Sequence, residues 1–188
     1  NVLKDLIEAG VKTIELDEIF RQAKDSGIIQ LAHHIINNEI DDTDLFSQYQ
    51  DINFFPMLNY DVIKNVKTIV NKALEEGYDT SDIQVLAPMY QGVAGIDALN
   101  DALQDVFNPK DQCLDSYKIG RIEYRIGDKI LQLKNRVDDN VFNGDIGILI
   151  DICRKDNFEY LQDTLIVDFD GNIVEYTSQN FNTITLAY

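Results

Sequence analysis

The 188-residue chain contains no GxxxxGK[ST] segment, so nothing in it can cradle a nucleotide's phosphates in a P-loop. It lacks an apolar run approaching the roughly 20 residues that a membrane helix needs, and no signal-peptide pattern opens it. Cysteine is scarce. Cys113 and Cys153 stand alone without CxxC spacing, which fits buried thiols in a reducing cytoplasm better than a disulfide. His33 and His34 are adjacent, so on a helix they point about 100° apart and do not share a metal as an i, i+4 pair does. No metal site is expected, and no Ser/His/Asp or Cys/His arrangement, internal repeat or low-complexity tract is visible. Positive charge is also short: 16 Lys and Arg against 33 Asp and Glu leave a formal net charge of −17. A general nucleic-acid coat is thereby disfavoured, because a phosphate-tracking surface carries excess cations.

What is present is apolar material, 45% of the residues, enough for a core in one domain or in one domain with a small insert. The chain begins at Asn1 without an initiator Met and stops at Tyr188 within an apolar run, so both ends are expected to be cuts in a longer protein. The acidity is uneven. Residues 1–112 hold 8 basic and 20 acidic side chains, whereas residues 113–188 hold 8 and 13. Lys118, Arg121, Arg125, Lys129, Lys134 and Arg136 face only Glu123 and Asp128 between them, a local excess of +4. If nucleic acid touches the chain, this is where to look; a solvated strand pair is the plainer reading.

The first part alternates helices with short strands. Val2, Leu3, Leu6 and Ile7 recur at helical spacing before Gly10. Ser26 is placed to cap a helix carrying Ile28, Ile29, Leu31, Ala32, Ile35 and Ile36, and Asp61 one carrying Val62, Ile63, Val66, Ile69, Val70 and Leu74. Ile96, Leu99, Leu103 and Phe107 line a third that ends at Asn108-Pro109. Residues 13–16, 52–55 and 83–87 read as strands, the last as a buried parallel one before Pro88. Together they predict a parallel sheet with helices on its faces. After about Asp111 the pattern changes to short Ile- and Val-rich strands at 122–125, 129–134, 145–152, 164–169, 173–177 and 183–187. Gly127-Asp128, Asn143-Gly144 and Asp170-Gly171 divide them, the last a strong signal for a two-residue hairpin turn. This predicts a small β-barrel.

Three stretches carry a resemblance. They are Leu16-Asp17-Glu18-Ile19-Phe20-Arg21-Gln22-Ala23, then Val85-Leu86-Ala87-Pro88-Met89-Tyr90-Gln91-Gly92 with Ala94-Gly95-Ile96, and Gly127-Asp128-Lys129-Ile130-Leu131-Gln132 with Val141-Phe142-Asn143-Gly144-Asp145-Ile146-Gly147. In order and spacing they resemble the RecD-like branch of superfamily 1 DNA helicases, relatives of the exodeoxyribonuclease V alpha chain. The closing Thr185-Leu186-Ala187-Tyr188 is similar to the lead-in to that family's next motif. The resemblance implies an α/β fold: part of the second RecA-like domain over 1–112, an SH3-like barrel inserted over 113–182, and 183–188 returning to the first part. It places the Walker motifs upstream and motifs V and VI downstream.

The resemblance also implies roles. The parent would step 5′ to 3′ along single-stranded DNA, using ATP and Mg2+ bound elsewhere, so the isolated chain is expected to bind no cofactor and to be inactive. Its partners would be single-stranded DNA, the first RecA-like domain and other repair proteins, with no membrane. Arg21 would reach the ATP γ-phosphate across the domain cleft, where a planar, permanently charged guanidinium suits charge shifting in the transition state. Gln22 would support it. Without the resemblance, Arg21 is a surface residue paired with Glu18 or Asp25. Tyr90, Gln91 and Gly92 would approach the single strand, although many relatives carry Arg where this chain has Gln91. In the barrel, Lys129, Gln132, Lys134, Asn135 and Arg136 would follow the backbone, with Phe142 and Asn143 on the adjoining loop, where the Phe142 ring is either an aromatic platform for a base or a core or loop-anchoring residue. The rival reading is a non-enzymatic protein- or DNA-binding module built on the barrel.

Overall fold

The computed structural model describes residues 2–14, 26–40, 49–155 and 160–188. The chain divides into two compact units, Asn1–Pro56 and Met57–Tyr188. The first contains α1 (Val2–Glu8) and α2 (Gly27–Asn37). Ser26 occupies the cap position of α2, but its hydroxyl does not cap. It donates to Asp51 Oδ2 at 2.6 Å, while Gly27 N donates to Asp51 Oδ1 at 3.1 Å. A carboxylate is the stronger acceptor at a helix N-terminus and complements its dipole. The Ser26 hydroxyl bond in turn holds the Asp51 carboxyl below its ordinary range.

The second unit starts with α3 (Val62–Glu75), which turns Val66, Val70 and Leu74 toward the core but leaves the expected core residue Ile69 half exposed. α4 (Ile96–Phe107) follows and buries Leu99, Asn100, Leu103 and Gln104. A hairpin of β1 (Ser116–Ile119) and β2 (Ile122–Arg125) comes next. Then β3 (Lys129–Gln132), β4 (Ile146–Cys153), β5 (Thr164–Phe169), β6 (Asn172–Tyr176) and β7 (Ile184–Leu186) form one antiparallel sheet in the order β6-β5-β4-β3-β7. The β5–β6 turn is the two-residue hairpin that Asp170-Gly171 predicts: both residues have positive φ, 55° and 89°, and Phe169 pairs with Asn172 across it.

Every strand pairing among the described residues is antiparallel. The parallel sheet expected from the first part is therefore not formed by them. Residues 52–55 and 83–87 lie outside any strand, because a strand exists only through a ladder partner and no described segment supplies one. Ile83 and Val85 nevertheless pack partly against the core, while Leu86 is fully displayed. β7 pairs with β3, Ile130 opposite Leu186, so the closing strand completes the sheet. It also touches the helical part: Asn100 Nδ2 donates to Leu186 O at 3.2 Å, Tyr188 N donates to Asn100 Oδ1 at 2.9 Å, and the Tyr188 ring stacks on Phe107 at 5.6 Å. The core consists of Leu103, Tyr124, Ile130, Val141, Leu149, Leu165, Val167 and Tyr176, all nearly inaccessible.

Candidate nucleic-acid interface

The connection between β3 and β4 is a hairpin with a folded tip. Gln132 N donates to Asp145 O and Gly144 N to Gln132 O, both at 2.9 Å. Farther out, Arg136 and Val141 exchange two backbone bonds around a turn of 3-10 helix, Val137–Asp139, closed by Asn140 at φ 52°. Side chains lock the return strand: Asn143 N donates to Asn135 Oδ1 and Phe142 N to Asp145 Oδ2, each at 2.8 Å. The result places Lys134, Asn135 and Asn143, all exposed, beside a Phe142 ring that is 43% exposed. A cation, amide groups and a half-exposed ring on a rigid tip match what a single strand offers: phosphates, base edges and π-faces.

The other residues of that set on β3 and its hairpin are placed differently. Gln132 is fully buried; its Oε1 accepts the Tyr176 hydroxyl at 2.6 Å and its Nε2 donates to Lys134 O at 2.5 Å, so it braces the tip from inside. Arg136 lies over the Tyr176 ring at 4.7 Å, pairs with Asp139 at 2.7 Å and donates to Glu175 O at 3.1 Å. Its charge is largely committed within the protein. Lys129 is only 5% exposed and points at backbone carbonyls.

Pairing also dissolves most of the local positive excess. Arg121 pairs with Asp97, and Arg125 is buried with its guanidinium on Asp105 at 2.9 Å and Asn108 O at 2.8 Å. Lys118 and Lys134 stand exposed with no carboxylate in ion-pair range among the described residues.

Tyr90, Gln91 and Gly92 sit on a separate element, the exposed loop before α4. Ile96 N and Asp97 N donate to the carbonyls of Met89 and Tyr90, at 2.9 and 3.1 Å. Two of the first-turn amides that a phosphate would use are thus occupied. Gly95 permits this fold, since a Cβ there would lie 2.7 Å from backbone atoms of Gln91 and Tyr90. Arg21 and Gln22 lie outside the described residues.

One constellation was not singled out by sequence: the buried carboxylate of Asp128. Its Oδ1 accepts Asn108 Nδ2 and Tyr188 Oη, both at 2.8 Å; its Oδ2 accepts Gln104 Nε2 at 2.6 Å and Arg125 N at 2.7 Å. Burial pushes the Asp128 carboxyl upward against these four donors, and burial likewise raises Tyr188 far above the phenol range. The same cause pushes Tyr124 and Tyr176 up to about 12. Gly127-Asp128 reads as a turn in sequence; the available signal was Gln104 in the last turn of α4 and Asn108, four residues on, at its cap.

Residues 99–169, from within α4 to the end of β5, match the SH3 domain of ATP-dependent RecD-like DNA helicases. The chain is 32% identical over 178 residues, 94% of its length, to the ATP-dependent RecD2 DNA helicase of Deinococcus radiodurans. It spans 22% of that curated relative. Among solved structures it is similar to Bacteroides sp. Pif1 in complex with ADP-AlF4, at a TM-score of 0.39 and 15% identity over 85% of this chain and 32% of that one. A second Pif1 structure, concerned with DNA unwinding at forked duplexes by two coordinating helicases, gives 0.35 and 16% over 91% of this chain and 36% of that one. TM-scores this low establish no shared architecture.

Proposed function

We propose, from a similarity to one RecD2 DNA helicase that runs through nearly the whole chain, that this chain is a segment of an ATP-dependent DNA helicase and forms part of its single-stranded DNA path. The observation that carries the reading is that the similarity runs through both units rather than the barrel alone. A similarity confined to residues 99–169 would suit a stand-alone binding module equally well. In this reading residues 1–112 belong to the second RecA-like domain, whose parallel sheet is completed by strands from elsewhere in the parent. The barrel is an insert in it. The enzyme works in the cytoplasm and moves 5′ to 3′.

The nucleotide site lies elsewhere in the parent. The sequence has no P-loop, and among the described residues no group of His, Cys, Asp and Glu is arranged to hold a metal ion. What the segment offers toward ATP is Arg21, supported by Gln22, facing the first RecA-like domain. What it offers toward DNA is the loop Tyr90-Gln91-Gly92 and the barrel tip of Lys134, Asn135, Phe142 and Asn143. Arg136 and Gln132 act behind the tip, holding its shape.

Lys134→Glu combined with Phe142→Ala in the full-length protein tests the tip. Binding of a fluorescent oligothymidylate should weaken by about tenfold or more, since a lost base stack alone is worth roughly 1–3 kcal/mol. The slope of log K against log salt should flatten by roughly 0.7 for the lost phosphate contact. Unchanged affinity and slope would take the tip out of the DNA path and favour a protein-docking role for the barrel.

A further inference from the structure

Lys129 is the first residue of β3, and period two places it with Leu131, on the face opposite Ile130 and Gln132. That face is covered at this point by a loop from some fifty residues upstream. The Lys129 ammonium donates to Thr80 O at 3.0 Å and to Ile83 O at 2.8 Å. Its own backbone carbonyl accepts Ala187 N at 2.9 Å, and Ala187 O accepts Gln84 Nε2 at 3.2 Å. Three stretches of chain, residues 80–84, the start of β3 and the end of β7, are therefore closed into a ring of hydrogen bonds through one lysine. The loop has its own rigidity: Asp79 accepts Ser81 N at 2.7 Å and the Ser81 hydroxyl at 2.6 Å, and Asp82 accepts Asp79 N at 2.9 Å.

The consequence concerns the two candidate DNA elements. Residues 80–84 feed directly into the segment that ends at Tyr90-Gln91-Gly92, and β3 feeds directly into the barrel tip at Lys134 and Asn135. Without the lysine, the contacts among the described residues that join the loop to the sheet here are the Gln84 bond and partial apolar packing. A primary ammonium suits the task, because its three donors reach two carbonyls from one buried point while the stem packs against the sheet.

We infer that Lys129 is a positioning residue that pins the loop at residues 80–83 to the barrel and so fixes the spacing between the Tyr90 loop and the barrel tip, and that it makes no contact with DNA phosphate. The inference rests on the reading of both elements as parts of a DNA path. It assigns Lys129 a role opposite to that of Lys134, its neighbour on the same hairpin. Burial pushes the ammonium below its ordinary value and the nearby Asp79 carboxylate opposes that, as expected of a charge held by carbonyls instead of water.

Lys129→Met in the full-length protein, with Lys129→Arg as the conservative control, separates the two roles. Hydrogen exchange at the amides of residues 79–83 should accelerate in the Met variant and return toward normal in the Arg variant. Affinity for oligothymidylate should fall by roughly tenfold at every salt concentration, because preorganisation is lost, while the salt slope stays that of the unaltered protein. ATP turnover at saturating DNA should be kept, and only the DNA concentration for half-maximal stimulation should rise. A slope flattened by roughly 0.7 would make Lys129 a phosphate contact and overturn the inference. So would unchanged exchange at residues 79–83, or unchanged affinity with accelerated exchange. If the unaltered protein fails to bind oligothymidylate, the DNA path itself is wrong and the positioning role falls with it, whatever the exchange data show.

Discussion

Arg21→Ala in the full-length protein should reduce ATP turnover by roughly 10³–10⁵-fold while changing nucleotide affinity far less, the range spanned by arginine fingers in phosphoryl transfer. A guanidinium that arrives across a domain cleft interacts most strongly when negative charge is shifting onto the leaving and transferred oxygens, so its loss is felt in the transition state more than in the ground state. Arg21→Lys should rescue little, because an ammonium is a point charge without the planar fork that meets two phosphate oxygens at once. Arg21 lies outside the described residues, and its assignment rests on the segment Leu16 to Ala23 and its place in the helicase resemblance. Turnover should be measured at saturating single-stranded DNA, with nucleotide affinity determined separately by a fluorescent analogue. Near-normal turnover in the Ala variant would return Arg21 to the surface and leave the finger to another residue.

Asp128→Ala should destabilise the unit Met57–Tyr188 by about 3–5 kcal/mol, since it strands several buried donors at once. Asn108 Nδ2, Tyr188 Oη, Gln104 Nε2 and Arg125 N all converge on this carboxylate. Gln104 and Asn108 keep second acceptors in Glu123 O and Ile126 O, whereas no second acceptor replaces Asp128 for the Tyr188 hydroxyl among the described contacts. Asp128→Asn keeps one oxygen and its two donors but turns an NH2 toward the other two, so it should cost less than Ala and more than zero. Thermal unfolding followed by near-ultraviolet tyrosine signal suits this chain, which has 9 Tyr and no Trp. A midpoint lowered by roughly 10 °C or more is expected for Ala. A shift of only a degree or two would mean that α4 and the sheet are held together by apolar packing and that the carboxylate network is incidental.

How much of this was legible in the sequence depended on whether the signal was local. The Asp170-Gly171 turn was readable because positive φ at two successive residues has few chemical solutions. The strands from β2 onward followed from Ile and Val runs between such turns, whereas β1, Ser-Tyr-Lys-Ile, has no such composition and was missed. The resemblance puts Gln132 among the DNA-following residues, although period two puts it on the face of Ile130, and the structure buries both. Alternation alone contained that answer. Lys129 is different: nothing near it in the sequence announces that residues 80–83 fold over its side of the sheet. The same limit applies to the first part of the chain. Residues 83–87 have the composition of a buried parallel strand, but strand formation depends on neighbours that the described residues do not supply. The candidate site was legible as a stretch, 129–143, and the structure divides it into an exposed tip and a buried support.

If this chain works inside a DNA-unwinding motor, the full-length protein should separate the strands of a tailed duplex. The substrate is a short duplex with a single-stranded 5′ tail, its strands labelled with a fluorophore and a quencher, compared with the same duplex carrying a 3′ tail. The labelled strand should be released from the 5′-tailed duplex only when ATP and Mg2+ are both present. Little release is expected from the 3′-tailed duplex, and none in the Arg21→Ala protein. Tight binding to the tailed duplex without ATP-dependent separation would rule out a motor and mark the protein as a DNA-binding module.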